Sequence, residues 1–280
     1  MALKVGIVGL PNVGKSTLFN AITNSKVEAA NYPFATIEPN VGVVEVPDGR
    51  LDQLAKIFNS KKKVATTIEF VDIAGLIAGA SKGEGLGNAF LANIRETNAI
   101  AQVVRCFDNK DITHVAGNVD PVRDIEIINL ELILADEASI QKRLDKITPK
   151  IKSGDKQAKA EHELLTKAKA WLQGEKLLNS LALNDEEQRI LKGFQLLTAK
   201  PFIYVANVSD EELLVDNDYV QAVREYAAKQ GFDVVKISAK IEEDLSDATL
   251  EEKNSFLEEL GVQQTGLASL IQAAYKTLGL

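Results

Sequence analysis

Apolar and polar positions along the chain follow two patterns: short runs of apolar and β-branched residues, and longer stripes with helical spacing. The short runs predict six strands, at 3–9, 41–46, 66–71, 101–107, 202–206 and 234–237. The stripes between them predict helices at 16–23, 88–98, 219–230 and 267–278. Because strands that alternate with helices usually form parallel sheets, the pattern predicts an α/β fold.

The pattern changes between residues 121 and 200, where helical spacing predicts three helices, at 124–151, 157–172 and 184–197. The first of these helices carries a seam close to that of a coiled coil, formed by Ile133, Ile140, Leu144, Ile147 and Ile151. Strands resume after Pro201. We therefore interpret 121–200 as an inserted α-helical coiled-coil domain, and 1–120 together with 201–280 as the domain that contains the sheet.

The composition is that of an ordinary soluble globular protein, with 280 residues, 45% of them hydrophobic, and a formal net charge of −8. The acidic total argues against a non-specific nucleic-acid coat protein but leaves room for a local basic face. The single cysteine, Cys106, allows no internal disulfide. The N-terminus shows no signal-peptide pattern and no long apolar run occurs, so we expect a cytoplasmic protein without a membrane partner.

The segment after the first predicted strand carries the motif Gly9-x-x-x-x-Gly14-Lys15-Ser16. A strand, a glycine-rich loop and a helix in this order are the context of a phosphate-binding P-loop, whose backbone N–H groups surround phosphate oxygens at a helix N-terminus. In such a loop Lys15 neutralises the β- and γ-phosphates, and the Ser16 hydroxyl binds Mg²⁺. The motif predicts a P-loop nucleotide hydrolase.

A second motif, Asp72-Ile73-Ala74-Gly75, follows the third predicted strand. A carboxylate at this strand end can hold Mg²⁺ through water, and the backbone N–H of Gly75 can reach the γ-phosphate. Thr36 and Thr23 compete to supply a second hydroxyl to Mg²⁺, and Thr36 is favoured because it lies in a loop rather than in a helix. We therefore predict Ser16, Thr36 and Asp72 as the magnesium ligands.

The candidate base-binding motif is Asn207-Val208-Ser209-Asp210, after the fifth predicted strand. GTPases usually carry Asn-Lys-x-Asp here, and their aspartate pairs with the N1 and N2 hydrogens of guanine. Val208 replaces the lysine while Asp210 stays in register, so these residues alone leave guanine open as the ligand. Ser238-Ala239-Lys240, after the sixth strand, supplies a second base-contact loop.

Together these motifs resemble the YchF / Obg-like ATPase family of translation-factor P-loop NTPases, over essentially all 280 residues. The resemblance is carried by 9–17, 31–37, 39–42, 72–76, 114–121 and 238–242. It implies a Ras-like G domain with a mostly parallel sheet, an inserted helical coiled-coil domain, and a C-terminal TGS domain that we expect to be absent from this chain.

The resemblance also implies that ATP is preferred over GTP. The Asn207 side chain and the Val208 backbone would meet adenine, and a carbonyl that accepts the adenine amine would repel the guanine carbonyl. Asp210 makes the motif closer to that of a GTPase than in many relatives. The nucleotide-binding residues that we predict are Asn12, Val13, Gly14, Lys15, Ser16, Thr17, Asn207, Val208, Ser238, Ala239 and Lys240.

Leu76 occupies the position at which Ras-like enzymes place the glutamine that orients water. Because leucine cannot hydrogen-bond water, hydrolysis must use another group or be slow. Asn12 is one candidate, since its loop resembles loops that bind K⁺, which neutralises transition-state charge. His114 is the other, as an imidazole that orients or deprotonates water, unless it only caps local backbone. The predicted catalytic residues are Lys15, Asp72, Gly75 and His114.

The resemblance further implies ribosome association, with ribosomal RNA as one candidate contact. Between Lys142 and Lys176 the chain has ten Lys/Arg residues against five Asp/Glu, so this stretch is basic within an acidic protein. A solvated helix face is the alternative explanation of those charges. Three functions stay open: an ATP-hydrolysing switch on the ribosome, a nucleotide-dependent binding module in which hydrolysis is incidental, suggested by Leu76, and an orthodox GTPase, suggested by Asp210.

Overall fold

The computed structural model describes residues 3–24, 40–73, 86–109, 117–152 and 154–279. These residues include a six-stranded sheet with the order β2-β3-β1-β4-β5-β6. The strands are β1 (Leu3–Val8), β2 (Val41–Glu45), β3 (Thr67–Asp72), β4 (Ala99–Arg105), β5 (Phe202–Asn207) and β6 (Asp233–Ile237). The predicted α/β fold with a mostly parallel sheet is confirmed.

Strand direction follows from the pairing. β1 pairs in parallel with both β3 and β4, and β4–β5 and β5–β6 are also parallel. The edge strand β2 runs antiparallel to β3, with Val41 opposite Val71 and Glu45 opposite Thr67. Its side chains alternate between buried and less buried positions, whereas every residue of β4 and β5 is buried. The central strands are largely apolar because both of their faces are covered, although β4 also buries Gln102 and Arg105.

Ten α-helices occur among the described residues. They are α1 (Lys15–Asn24), α2 (Gly49–Ile57), α3 (Leu86–Arg95), α4 (Pro121–Lys152), α5 (Lys156–Gln173), α6 (Asp185–Lys192), α7 (Asp218–Gln230), α8 (Ala239–Asp244), α9 (Leu250–Leu260) and α10 (Gly266–Thr277). None of the helices in this part of the chain is both long and apolar enough to cross a bilayer. The sequence pattern did not predict α2, α8 and α9. It also predicted that the helix at α6 continues to residue 197, whereas α6 ends at Lys192 with Gly193 as its C-cap.

The chain divides into two compact units. Unit 1 comprises Met1–Gly75, Thr97–Val122 and Phe202–Leu280, and it contains the whole sheet. Unit 2 comprises Leu76–Glu96 and Arg123–Pro201. This grouping differs from the predicted domain boundaries at the helix α3, which the sequence pattern assigned to the sheet-containing domain.

Arg95, the last residue of α3, makes polar contacts with other residues of unit 2. Its Nη2 donates a hydrogen bond of 2.8 Å to Ser139 Oγ on α4, and its carbonyl accepts one of 3.0 Å from Lys200 Nζ. Both partners lie in unit 2. The packing of α3 therefore combines the buried Leu91 and Ile94 with polar contacts to residues far away in sequence, which the apolar pattern of 88–98 does not record.

The interior of unit 2 combines an apolar seam with buried carboxylates, of which Asp136 is fully buried. Four of the five predicted seam residues are buried: Ile133, Ile140, Leu144 and Ile147. Asp136 is fully buried, and it accepts hydrogen bonds from the backbone N–H groups of Leu197 (2.9 Å) and Thr198 (2.7 Å) and from the Thr198 hydroxyl (2.7 Å). Burial raises the pKa of Asp136, and these donors oppose the shift.

Candidate nucleotide-binding site

The P-loop connects β1 to α1 and turns sharply twice. β1 ends at Val8 and α1 begins at Lys15. Asn12 (φ 64°) and Gly14 (φ 91°) both have positive φ angles, which the tight return of the chain requires. The Gly14 carbonyl accepts the first helical hydrogen bond, from Leu18 N at 3.0 Å. The backbone N–H groups at the start of α1 are left to bind an anion, as a phosphate-binding loop requires.

Gly9 allows the loop to pack against the sheet. A Cβ atom added at Gly9 would lie 2.9 Å from the Val103 carbonyl oxygen and 2.9 Å from a methyl group of Val13. A larger residue would therefore push the loop away from β4. Val13 itself is buried, whereas Asn12 and Ser16 are exposed and Thr17 is half-buried. The predicted phosphate-binding residues thus surround a loop that is fixed on its inner side and open on its outer side.

Lys15 and Asp72, which lie 57 positions apart, form an ion pair. Asp72 is the last residue of β3, and it pairs with Ile7 of the neighbouring strand β1, so the sheet brings its carboxylate to the P-loop. Their side chains are only 11% and 19% exposed. Partial removal from water strengthens the attraction, so the structure brings together two predicted catalytic residues.

Asn207 connects the P-loop to the first residue of α8, the helix after β6. Its side-chain Nδ2 donates to the Val13 carbonyl at 2.8 Å, and its Oδ1 accepts from Ala239 N at 2.9 Å. Both hydrogen bonds are buried, and we call this arrangement the Asn207 bridge. The side chain predicted to meet adenine is thus engaged on both polar atoms by the chain itself. This bridging role was missed in the sequence, where Asn207 lies 194 positions from Val13.

The Asn207 bridge also explains why residue 14 is glycine. A Cβ atom at Gly14 would lie 2.2 Å from Asn207 Nδ2 and 3.7 Å from the Ala239 side chain. The positive φ of Gly14 adds a second obstacle to substitution. Gly14 is therefore required by the contact with Asn207 as well as by the turn of the P-loop.

Asp210 binds the second predicted base-contact loop. One carboxylate oxygen accepts from the Ser238 hydroxyl at 2.7 Å, and the other accepts from Lys240 Nζ at 3.1 Å. The hydrogen bond from Lys240 to Asp210 raises the pKa of the lysine. Val208 is buried, and its N–H donates to the Ile237 carbonyl at 2.9 Å. The two predicted base-binding motifs therefore form one connected surface.

Glu242, four residues after Ser238, is a buried carboxylate that the sequence did not mark as a site residue. It accepts a hydrogen bond of 2.7 Å from Gly266 N, the first residue of α10. Burial raises its pKa, although the donors at the start of α10 counteract the effect. A carboxylate at a helix N-terminus is favourable, so Glu242 fixes the helix after the base-contact loop against α10.

Comparison with known proteins gives one family model and several relatives that are similar to this chain. A family model described as 50S ribosome-binding GTPase matches residues 4–135. Proteins named ribosome-binding ATPase YchF, from Bacillus subtilis strain 168 and Escherichia coli O157:H7, are 54% and 52% identical to this chain over 282 and 280 residues. Each alignment covers 100% of this chain and 77% of the relative.

The chain belongs to the YchF family. A solved YchF structure from Schizosaccharomyces pombe agrees with this assignment at a TM-score of 0.86, with 39% identity over 99% of this chain and 75% of that one. The Schizosaccharomyces pombe protein is named a GTPase, whereas the bacterial YchF proteins are named ATPases. The names of the YchF relatives thus differ on whether the nucleotide is ATP or GTP. The residues around Asp210 are the predicted base contacts, so they bear on this difference.

Four residues singled out in the sequence lie outside the described residues: Thr36, Gly75, Leu76 and His114. Their roles as magnesium ligand, γ-phosphate donor, glutamine replacement and water-orienting group stay predictions. Among the described residues, the predicted site therefore consists of the P-loop, Asp72, the Asn207 bridge and Ser238 to Lys240, at the start of α8. No cluster of three or more metal-ligating side chains occurs among the residues that were described.

Proposed function

We propose that this chain is a ribosome-associated, Mg²⁺-dependent P-loop ATPase that converts ATP and water to ADP and phosphate and prefers ATP over GTP. The observation that carries the hydrolase assignment is the Lys15–Asp72 pair at the start of α1. This pair would supply a cation for the phosphates and a carboxylate for the metal, at one end of neighbouring strands. The names of the bacterial YchF relatives support both ATP and the ribosome.

The P-loop residues position the triphosphate. Backbone N–H groups of Val13, Gly14 and Lys15 would surround the phosphates, and the Lys15 ammonium would exchange its contact with Asp72 for phosphate oxygens. Hydrolysis forms a bond between the water oxygen and the γ-phosphorus and breaks the bond to the β–γ bridging oxygen. A group that neutralises charge on these oxygens lowers the barrier.

The donor set fits Mg²⁺, which prefers oxygen ligands. Ser16 supplies an exposed hydroxyl and Asp72 a carboxylate, and Thr36 is the predicted third ligand. When bound, the metal ion would neutralise charge on the β- and γ-phosphates. For the transition state, Asn12 is the proposed K⁺ ligand, Gly75 the proposed γ-phosphate donor and His114 the group that orients water.

The preference for ATP is supported by the partners of Asp210. A GTPase aspartate must accept two hydrogens from guanine, but both Asp210 oxygens already accept hydrogen bonds, from Ser238 and Lys240. Each oxygen keeps a free lone pair, but the Lys240 ammonium neutralises part of the Asp210 charge, so guanine hydrogens would gain less from this carboxylate. The GTPase alternative is favoured by the exposure of the Asp210 side chain, 38%, which leaves room for a change of partner. The binding-module alternative rests on Leu76 alone.

The ribosome contact that the sequence suggests lies on α4 and α5. Lys142, Lys146 and Lys150 are exposed at intervals of four on α4, so they share one face of the helix. In the same stretch, Arg143 pairs with Glu161 and Lys167 with Glu187. We propose that the three α4 lysines contact ribosomal RNA phosphates, in a cytoplasmic protein without a membrane partner.

The decisive experiment measures base preference and turnover together. The purified chain is titrated with labelled ATP and GTP, and phosphate release is followed with and without K⁺ and with and without ribosomes. We expect tighter ATP binding, faster release with K⁺ and ribosomes, and no release from Lys15→Ala. Tighter GTP binding would refute the ATPase assignment. Absence of phosphate release under every condition would favour the binding module.

A further inference from the structure

Helix α2 carries an apolar face that the core of unit 1 does not use. None of its residues is buried. Leu54 is 50% exposed, Ile57 and Phe58 are each 73% exposed, and Val64 is 52% exposed. Across the described ranges, these four make up half of the eight large hydrophobic side chains that are exposed. Such clustering within eleven residues marks an interaction surface rather than scattered exposure.

The end of α2 gathers these side chains into one surface. Leu54 and Phe58 are four residues apart, so they lie one above the other on the helix, with Ile57 beside them. Asn59 has a positive φ of 46°, and Ser60 N donates to the Ala55 carbonyl at 3.0 Å. This is a Schellman-type C-terminus, which turns the chain back beside the helix.

The following residues border this surface with positive charge. Lys63 pairs with Asp52 on α2, which holds the returning chain along the helix, and Arg50 pairs with Asp48. These contacts use the two acidic groups of the segment. Lys56, Lys61 and Lys62 are exposed and have no ion-pair partner among residues that the structure describes. Three cations with no ion-pair partner in the described ranges therefore flank the apolar face of a chain whose net charge is −8.

A surface of this composition fits a protein better than it fits RNA. Leu54, Ile57 and Val64 are aliphatic, and they are stabilised only where a partner also buries apolar surface. RNA would offer one stacking position, at Phe58, and would leave the aliphatic groups against polar edges and phosphates. The lysines favour a partner that has carboxylates at the border of its own apolar face.

We propose that the α2 surface, consisting of Leu54, Ile57, Phe58, Val64, Lys56, Lys61 and Lys62, binds an amphipathic protein segment of the ribosome whose apolar face is bordered by Asp and Glu. This inference rests on the proposed ribosome association. It adds a protein contact on unit 1 that is separate from the RNA contact proposed for α4. It also gives a role to a helix that contributes no buried residue to the sheet.

Paired substitutions test the surface. Ile57→Asp with Phe58→Asp places two charges on side chains that are 73% exposed, so the fold is retained. The matched control is Leu214→Asp with Val215→Asp, at residues of unit 1 that are 56% and 74% exposed. In co-sedimentation with ribosomes, we expect the first pair to weaken binding about tenfold and the control to leave it unchanged. Lys61→Glu with Lys62→Glu should also weaken binding, by several-fold. Equal effects of the test and control pairs, or unchanged binding of the charge-reversal pair, would overturn the inference.

Photocrosslinking identifies the class of partner. A photoreactive benzoylphenylalanine replaces Phe58 in one variant and Val215 in the control, and each is irradiated with ribosomes. An adduct that forms from position 58, not from position 215, and that protease but not ribonuclease removes supports the inference. An adduct removed by ribonuclease, or none specific to position 58, overturns it. Failure of the wild-type chain to co-sediment would instead refute the ribosome association itself, which keeps the two failures distinguishable.

Discussion

The Asn207→Ala substitution removes both hydrogen bonds of the Asn207 bridge. In the wild type, the Asn207 side chain donates to the Val13 carbonyl at 2.8 Å and accepts from Ala239 N at 2.9 Å, and both hydrogen bonds are buried. Alanine offers no polar atom to either group. The P-loop and the base-contact loop therefore lose their shared support in a single step.

The size of the effect follows from two buried backbone groups left without partners. Each lost hydrogen bond contributes about 1 kcal/mol, and each unsatisfied buried group costs about 1–3 kcal/mol before relaxation. Allowing for partial relaxation, we expect unit 1 to lose about 2–4 kcal/mol, or about 30-fold to about 1000-fold in its folding equilibrium. ATP, GTP and ADP should all bind more weakly and by similar factors, because the bridge supports the phosphate-binding loop.

Asn217→Ala is a closely matched control. Asn217 also makes two hydrogen bonds to backbone, donating to the Cys106 carbonyl at 2.8 Å and accepting from Val220 N at 2.9 Å. It lies in unit 1 but makes neither bond to the P-loop. Because these two hydrogen bonds are only partly buried, we expect a smaller loss of stability from Asn217→Ala, without the general loss of nucleotide affinity.

The assay must report on unit 1. The single tryptophan, Trp171, lies in unit 2, so its fluorescence does not follow the sheet. Hydrogen exchange measured by mass spectrometry on peptides from α1 and β5 gives the local free energy of opening. If Asn207→Ala leaves exchange unchanged and weakens ATP alone, Asn207 contacts adenine and the bridge does not support the site.

Three further substitutions test other parts of the site and of unit 2. His114→Ala should slow phosphate release while ATP affinity stays near normal, and an unchanged rate in a single-turnover assay would remove His114 from the mechanism. Asp210→Ala should weaken ATP and GTP by the same factor in calorimetric titrations, because Asp210 holds Ser238 and Lys240, whereas a loss confined to GTP would show that it reads guanine. Burial lowers the pKa of Lys200 to about 8 from 10.5. Between these two pH values the unfolded chain binds more protons than the folded chain, so the free energy of unfolding should rise as the pH increases through that interval. Lys200→Met should abolish this rise in urea unfolding followed by Trp171 fluorescence, and the same slope in both proteins would contradict the assignment to Lys200.

The sequence predicted the parts of the site that are local in the chain. The strand before Gly9 and the helix after it are close enough to be recognised from one short window, and the motif at Asp72 follows its own strand in the same way. The order of strands and helices also follows from periodicity, because burial on both faces of a central strand produces a continuous apolar run. These local features were sufficient to predict the fold class and the family.

Only the tertiary structure decided which distant groups meet. The contacts of Asn207 with Val13 and of Lys15 with Asp72 span 194 and 57 positions, and a hydrogen bond of this kind leaves no period in the sequence. The antiparallel direction of β2 also depended on its neighbour, since an apolar run reads alike in either direction. The same holds for α2, whose apolar residues resemble a core stripe although none of them is buried. Local patterns specify which elements form, whereas contacts between elements determine which polar groups are paired and which apolar faces remain open to a partner.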